Sequence, residues 1–116
     1  MVWNINDPDL FNPEHLTVKH MYDNKHATVV WFGFCKGQEL REHETTSAGI
    51  VQVLRGKVQL VTSDAQVLEA GQTAMLQSSE RHSVMALEDS LLQVVLVPHP
   101  RYHSLGDELE FDDSPS

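Results

Sequence analysis

Two histidines carry most of the chemistry this sequence can offer. His43 lies in GQELREHETTSAGIVQVLRG, residues 37–56, a β-rich stretch bounded by glycines, and His82 opens HSVMAL, residues 82–87. Imidazole suits Zn, Cu, Fe or Ni, and sites for such ions draw on at least three protein ligands. On an extended chain a second histidine at 45 would share a face with His43, because side chains alternate with period two. The chain has Thr45 there, whose neutral hydroxyl is a poor ligand for these ions. An imidazole without a metal can serve as a general base near neutral pH, or simply orient a ligand.

Glu39 and Arg41 have the parity of His43. They read either as a solvated or salt-bridged pair, or as a carboxylate that completes a ligand set and a guanidinium that grips an anion in a forked contact. His26, at a strand start, is a surface residue or a third nitrogen. Met75 and Met85 are expected to line the interior as apolar packing. His15, His20, His99 and His103 lie in or near the chain ends and read as surface residues.

The elements that must position these groups are strands. Segments 16–22, 26–36, 38–44, 48–54, 58–62, 66–69, 72–77, 82–87 and 90–98 are short, rich in β-branched or alternating residues, and separated by turn residues such as DNK, RGK and SDA. No segment sustains a helical period beyond two turns. The pattern predicts an all-β sandwich or barrel. Gly33, inside VVWFGFC, marks a bulge or a close backbone approach. Pro98 and Pro100 end the last strand. Residues 1–15 read as an irregular lead-in, 16–100 as the barrel, and 101–116 as an acidic tail, partly disordered, in which Leu105, Leu109 and Phe111 could pack as a short turn.

The 116 residues suit one domain with one real core. Formal net charge is −9, and Asp107, Glu108, Glu110, Asp112 and Asp113 place much of it in the tail. The body is mildly acidic, with no basic footprint for nucleic acid or an anionic membrane. The start of the chain shows no signal peptide, and no apolar run is long enough to span a bilayer. The single Cys35 cannot pair within the chain; a buried thiol in a reduced, cytoplasmic protein is the simplest expectation.

The spacing of the glycines and histidines resembles the two motifs of the cupin superfamily. Gly37 is followed after five residues by His43; Thr45 stands at the second His position, Gly49 at the Glu position, and Gly56 closes the first motif in register. Gly71 opens the second motif, with Gln77 and Ser79 in place of its Pro and Gly, His82 at its His, and Ala86 in place of its Asn. VLRGKVQL and LEAGQTAML resemble the usual hairpin and strand phrases. The resemblance covers roughly 26–97 and implies a double-stranded β-helix, or jelly-roll, barrel of the small single-domain RmlC-like, cupin 2 type. It implies a lumen site around His43 and His82, with Thr45, Gly49, Glu39, Arg41 and Met75 as further pocket residues. His43 and His82 are the only metal-ligand positions retained, so the cofactor admitted is at most a weakly held divalent ion: Zn, Ni, Fe or Mn. It also implies a homodimer, for which the apolar strand 28–34 could supply the contact surface.

Two functions remain open on these residues, beside a barrel that mainly serves as an assembly unit, its edge strands pairing into a dimer. One is a barrel that binds a small molecule in an apolar pocket with few polar groups. The other is a minimal metal-dependent or His-dependent enzyme of oxygenase, isomerase or epimerase type. Catalytic residues are not assignable from the sequence, since one barrel carries many chemistries.

Overall fold

In a computed structural model of the chain the structure describes residues 2–43 and 47–97, with 42 and 43 described for the backbone alone. These residues form nine strands: β1 (Thr17–Asp23), β2 (Thr28–Phe34), β3 (Glu39–His43), β4 (Ala48–Arg55), β5 (Lys57–Val61), β6 (Ala65–Glu69), β7 (Thr73–Leu76), β8 (His82–Ala86) and β9 (Ser90–Val97). Each expected strand is present, with ends moved by a residue or two. The strands form two antiparallel sheets, one in the order β1-β2-β9-β4-β7 and one in the order β3-β8-β5-β6. Among the described residues no helix is long and apolar enough to cross a membrane.

The inward faces follow from alternation. Val51 and Val53 of β4, Val58 and Leu60 of β5, Val84 and Ala86 of β8, and Leu92 of β9 meet Phe34, which is fully buried, in one core. Phe34 stacks at a tilt on Phe32, with ring centroids 6.3 Å apart. This packing fills one end of the space between the sheets.

A second, smaller core lies on the outer side of the five-stranded sheet. Leu10, Met21, Trp31 and Leu91 are buried there, with Ile5, Phe11, Val29 and Leu54 against them. The lead-in is therefore irregular but anchored. A 3-10 turn at Pro8–Leu10, capped by the Asp7 carboxylate accepting from the Asp9 N–H, drives Leu10 onto the sheet. Arg55 donates to the Ile5 carbonyl at 3.0 Å and lies over the Phe11 ring, and the Gln38 amide donates to the Asn12 carbonyl at 2.8 Å. Gly33 explains the close fit: a Cβ there would run into the Leu10 carbonyl, so the close-approach reading of this glycine holds. Trp31 lies under this segment and donates to Gln93 Oε1 at 2.9 Å.

Three expectations about exposure need correction. Cys35 is half-buried rather than buried, because it lies just past the end of β2, at the turn into β3. Met75 and Met85 do not line the interior; they are 61% and 36% exposed on the outer faces of their sheets. Strand 28–34 does not offer a free contact surface, since it lies between β1 and β9 and most of its residues are buried.

Candidate functional site

The space between the sheets is filled by Phe34 and its neighbours at one end and hollow at the other. The hollow has a volume of about 120 Å³. Its floor comes from the five-stranded sheet: Val30 and Phe32 of β2, Val51 of β4, Leu76 of β7, and Leu92, Val94 and Leu96 of β9. These positions are neighbours by register, with Val30 opposite Val94, Val94 opposite Val51, and Phe32 opposite Leu92. The roof is Leu40 of β3 with His82 and Val84 of β8. Nine of these ten side chains are apolar, and His82 is the one polar group.

His82 is buried, 7% exposed, and its ring Nδ1 lies 3.1 Å from the Glu80 carbonyl oxygen. A carbonyl can only accept, so Nδ1 carries the hydrogen and donates, which fixes the tilt of the ring. The contact comes from the turn before β8, where Ser79 has a positive φ of 65° and the Glu80 N–H bonds the Gln77 carbonyl.

β3 departs from simple alternation. Glu39 pairs with Met85 and Leu40 with Val84, but His43, not residue 42, pairs with His82, so one extra residue bulges between them. Val84 and His82 are two apart on β8 and both line the cavity. The bulge thus brings backbone position 43 into the register set of Leu40, not into that of Glu39 and Arg41. The shared parity read from the sequence does not hold across this bulge.

The remaining expected pocket residues divide. Glu39 and Arg41 are exposed, and Met75 is mostly exposed; none of the three lines the cavity. Met75 pairs with Ile50 on the outer side of the sheet. Gly49 is buried between Leu76 and Leu96, both wall residues, and a Cβ on it would meet them at 3.5–3.6 Å, ordinary contact. Thr45 lies outside the described residues. His26 is exposed in the turn before β2 and is not part of the cavity wall, and His15 and His20 are exposed. The apolar wall residues were not singled out as site residues from the sequence, though the inward parity of 28–34, 48–54 and 90–97 carries most of them.

The donor chemistry bears on a metal. Among the described residues no group of three or more His, Cys, Asp or Glu comes together. His82 is the one ligating side chain of the described wall, and Gly49 brings no donor where the resembling motif has a carboxylate. Among the described side chains, then, the cavity wall supplies one imidazole toward the three-ligand set that holds such ions.

Comparison with known proteins gives the fold its context. No protein-family model matches the chain, and no curated protein does. Solved structures do match. An RmlC-like cupin from Desulfovibrio desulfuricans superposes with a TM-score of 0.78 at 21% identity, over 85% of this chain and 97% of that one. KdgF from a Halomonas species gives 0.70 at 20%, over 85% and 89%. An uncharacterised conserved protein with a double-stranded β-helix domain from Klebsiella pneumoniae gives 0.69 at 18%, over 75% and 80%. At these identities the likeness speaks for architecture alone. The strand order, the hollow between the sheets and these superpositions together make this chain a cupin-fold protein, an all-β double-stranded β-helix barrel.

Proposed function

We propose that this protein binds a small, largely apolar molecule in the hollow end of its barrel, with His82 meeting the ligand's single polar group. The observation that carries this reading is the wall itself: among the described residues it has nine apolar side chains, one imidazole and no charged side chain. A wall of that kind favours a neutral ligand, because a charged one would lose its hydration with nothing to replace it. Size points the same way. A dry apolar cavity of about 150 Å³ in another protein takes up benzene, and the hollow here is of about 120 Å³. A compact six-membered ring with one hydroxyl suits it.

Phenol and benzene test the reading directly. Phenol titrated into the protein and followed by methyl NMR is expected to bind roughly two- to tenfold more tightly than benzene, the net worth of one hydrogen bond. In His82→Leu the preference should vanish while benzene still binds. Failure of both compounds to bind the wild-type protein at millimolar concentration would sink the proposal.

A second reading rests on the register of His43 opposite His82. Two histidines at one end of a barrel support a minimal His-dependent or metal-dependent enzyme, of oxygenase, isomerase or epimerase type. Metal content decides how far to follow it. Protein purified without a tag or chelator, then incubated with Zn, Ni, Fe or Mn, is expected to hold well under one ion per chain after desalting. About one ion per chain, lost in His43→Ala, would favour the enzyme instead.

A further inference from the structure

The outer face of the five-stranded sheet is covered over only part of its extent. The lead-in packs over Trp31, Leu91 and Gly33 and its cluster reaches Val29. Beyond them a single cross-strand row runs over all five strands: Met75 pairs with Ile50, Ile50 with Val95, Val95 with Val29, and Val29 with Tyr22. Every member is apolar or aromatic. Met75, Ile50 and Tyr22 are 61%, 36% and 51% exposed, and Val95 and Val29 are half-buried. The pair Ala48 and Val97 extends the row toward the end of the sheet, with Val97 46% exposed. On the other side the neighbouring row is Thr73, Gln52, Gln93, Trp31 and Lys19, polar but for the tryptophan. The apolar stripe is therefore bounded.

We propose that this stripe is the docking site of the chain's own C-terminal segment, residues 101–111. Three observations favour that occupant. The described chain leaves the sheet at Val97, at the margin of the stripe, on β9, the middle strand of five. From there either end of the stripe is two strand spacings away, about 10 Å. Residues 98–100 can span about 10 Å, which matches that distance.

The size of the stripe also favours one segment. One row of five positions and the pair beside it cover on the order of 230 Å², against about 800 Å² on each partner of a stable protein–protein interface. One short stretch of chain fits; a second barrel needs several times more. The sequence of the segment matches too. Tyr102, Leu105, Leu109 and Phe111 supply the apolar side chains, and Asp107, Glu108 and Glu110 lie between or beside them. Lys19 and Lys25, on β1 and in the turn after it, offer those carboxylates cations at the Tyr22 end. The acidic tail then has a structural role, as the cover for the half of the sheet that the lead-in leaves open.

The chain contains two isoleucines, and they are well placed to test this. Ile50 lies in the stripe and Ile5 in the lead-in. In protein labelled at isoleucine δ1-methyl groups, ending the chain at Pro100 is expected to move the Ile50 signal by more than its linewidth and leave Ile5 in place. Leu109→Asp in the full chain should move Ile50 in the same direction. An Ile50 signal unchanged in both variants would overturn the proposal. So would an Ile50 signal in the full chain that moves on dilution, which would put a second copy on the stripe. Phenol titrations of the same samples keep this question apart from that of the barrel cavity.

Discussion

Gly56→Ala is expected to destabilise the protein by roughly 2–5 kcal/mol, with a fall in melting midpoint of roughly 6–25 °C. Two penalties add. Gly56 turns β4 into β5 at a φ of 85°, a left-handed conformation that costs an alanine about 1–2 kcal/mol. A Cβ would also enter the space of the Asp89 carbonyl and of Ser90. Ser90 cannot give way cheaply. It is fully buried, and its hydroxyl oxygen accepts from the Lys57 N–H at 2.9 Å and lies 2.7 Å and 3.0 Å from the Glu88 and Lys57 carbonyls. Overpacking against fixed groups of this kind costs about 1–3 kcal/mol. Urea unfolding of the two proteins measures the difference. A midpoint within 2 °C of wild type by thermal melting would show that the turn relaxes without cost.

Gly49→Leu should have the opposite profile, with ligand binding lost and stability little changed. The Cβ of a residue at 49 has room beside Leu76 and Leu96, and the rest of a leucine extends into the hollow that those two residues border. Filling an apolar void offsets crowding, so stability is expected to stay within about 1 kcal/mol of wild type. Phenol and benzene affinity should both drop at least about thirtyfold, because one side chain now occupies the space of one small ring. Retained benzene binding in a folded Gly49→Leu protein would locate the ligand elsewhere. The contrast between 49 and 56 matters because both are glycines of the same sequence motif, yet one shapes a turn and the other a cavity.

The strands were legible because local signals agree. Alternation in 48–54 and 58–62 and the glycine between them specify a hairpin without help from the rest of the chain. The site was legible only in part. Extrapolating period two from Leu40 puts His43 with Glu39 and Arg41, whereas a bulged residue moves it into the set of Leu40. A bulge depends on which strand pairs with β3, and that partner, β8, lies some forty residues on. Met75 misled for a different reason. Ala74, Met75 and Leu76 are all apolar, so alternation cannot say which face is inner when the outer face is apolar as well. The apolar outer row that hid the parity of Met75 is the same stripe proposed to receive the C-terminal segment.

The place of β9 sets the order in which this molecule can be made. It is the last strand among the described residues and the central strand of its sheet, hydrogen-bonded to β2 on one side and β4 on the other. Trp31 and Gln93, 62 residues apart, bond across that seam. While synthesis is still short of residue 97, β2 and β4 each present an open edge of valines with nothing to pair. The five-stranded sheet must therefore form after residue 97 has been made, by a slow search dominated by distant contacts. A nascent chain paused before β9 is an aggregation hazard in waiting, and a stop codon even a few residues into that strand would remove the sheet's keystone rather than trim its rim.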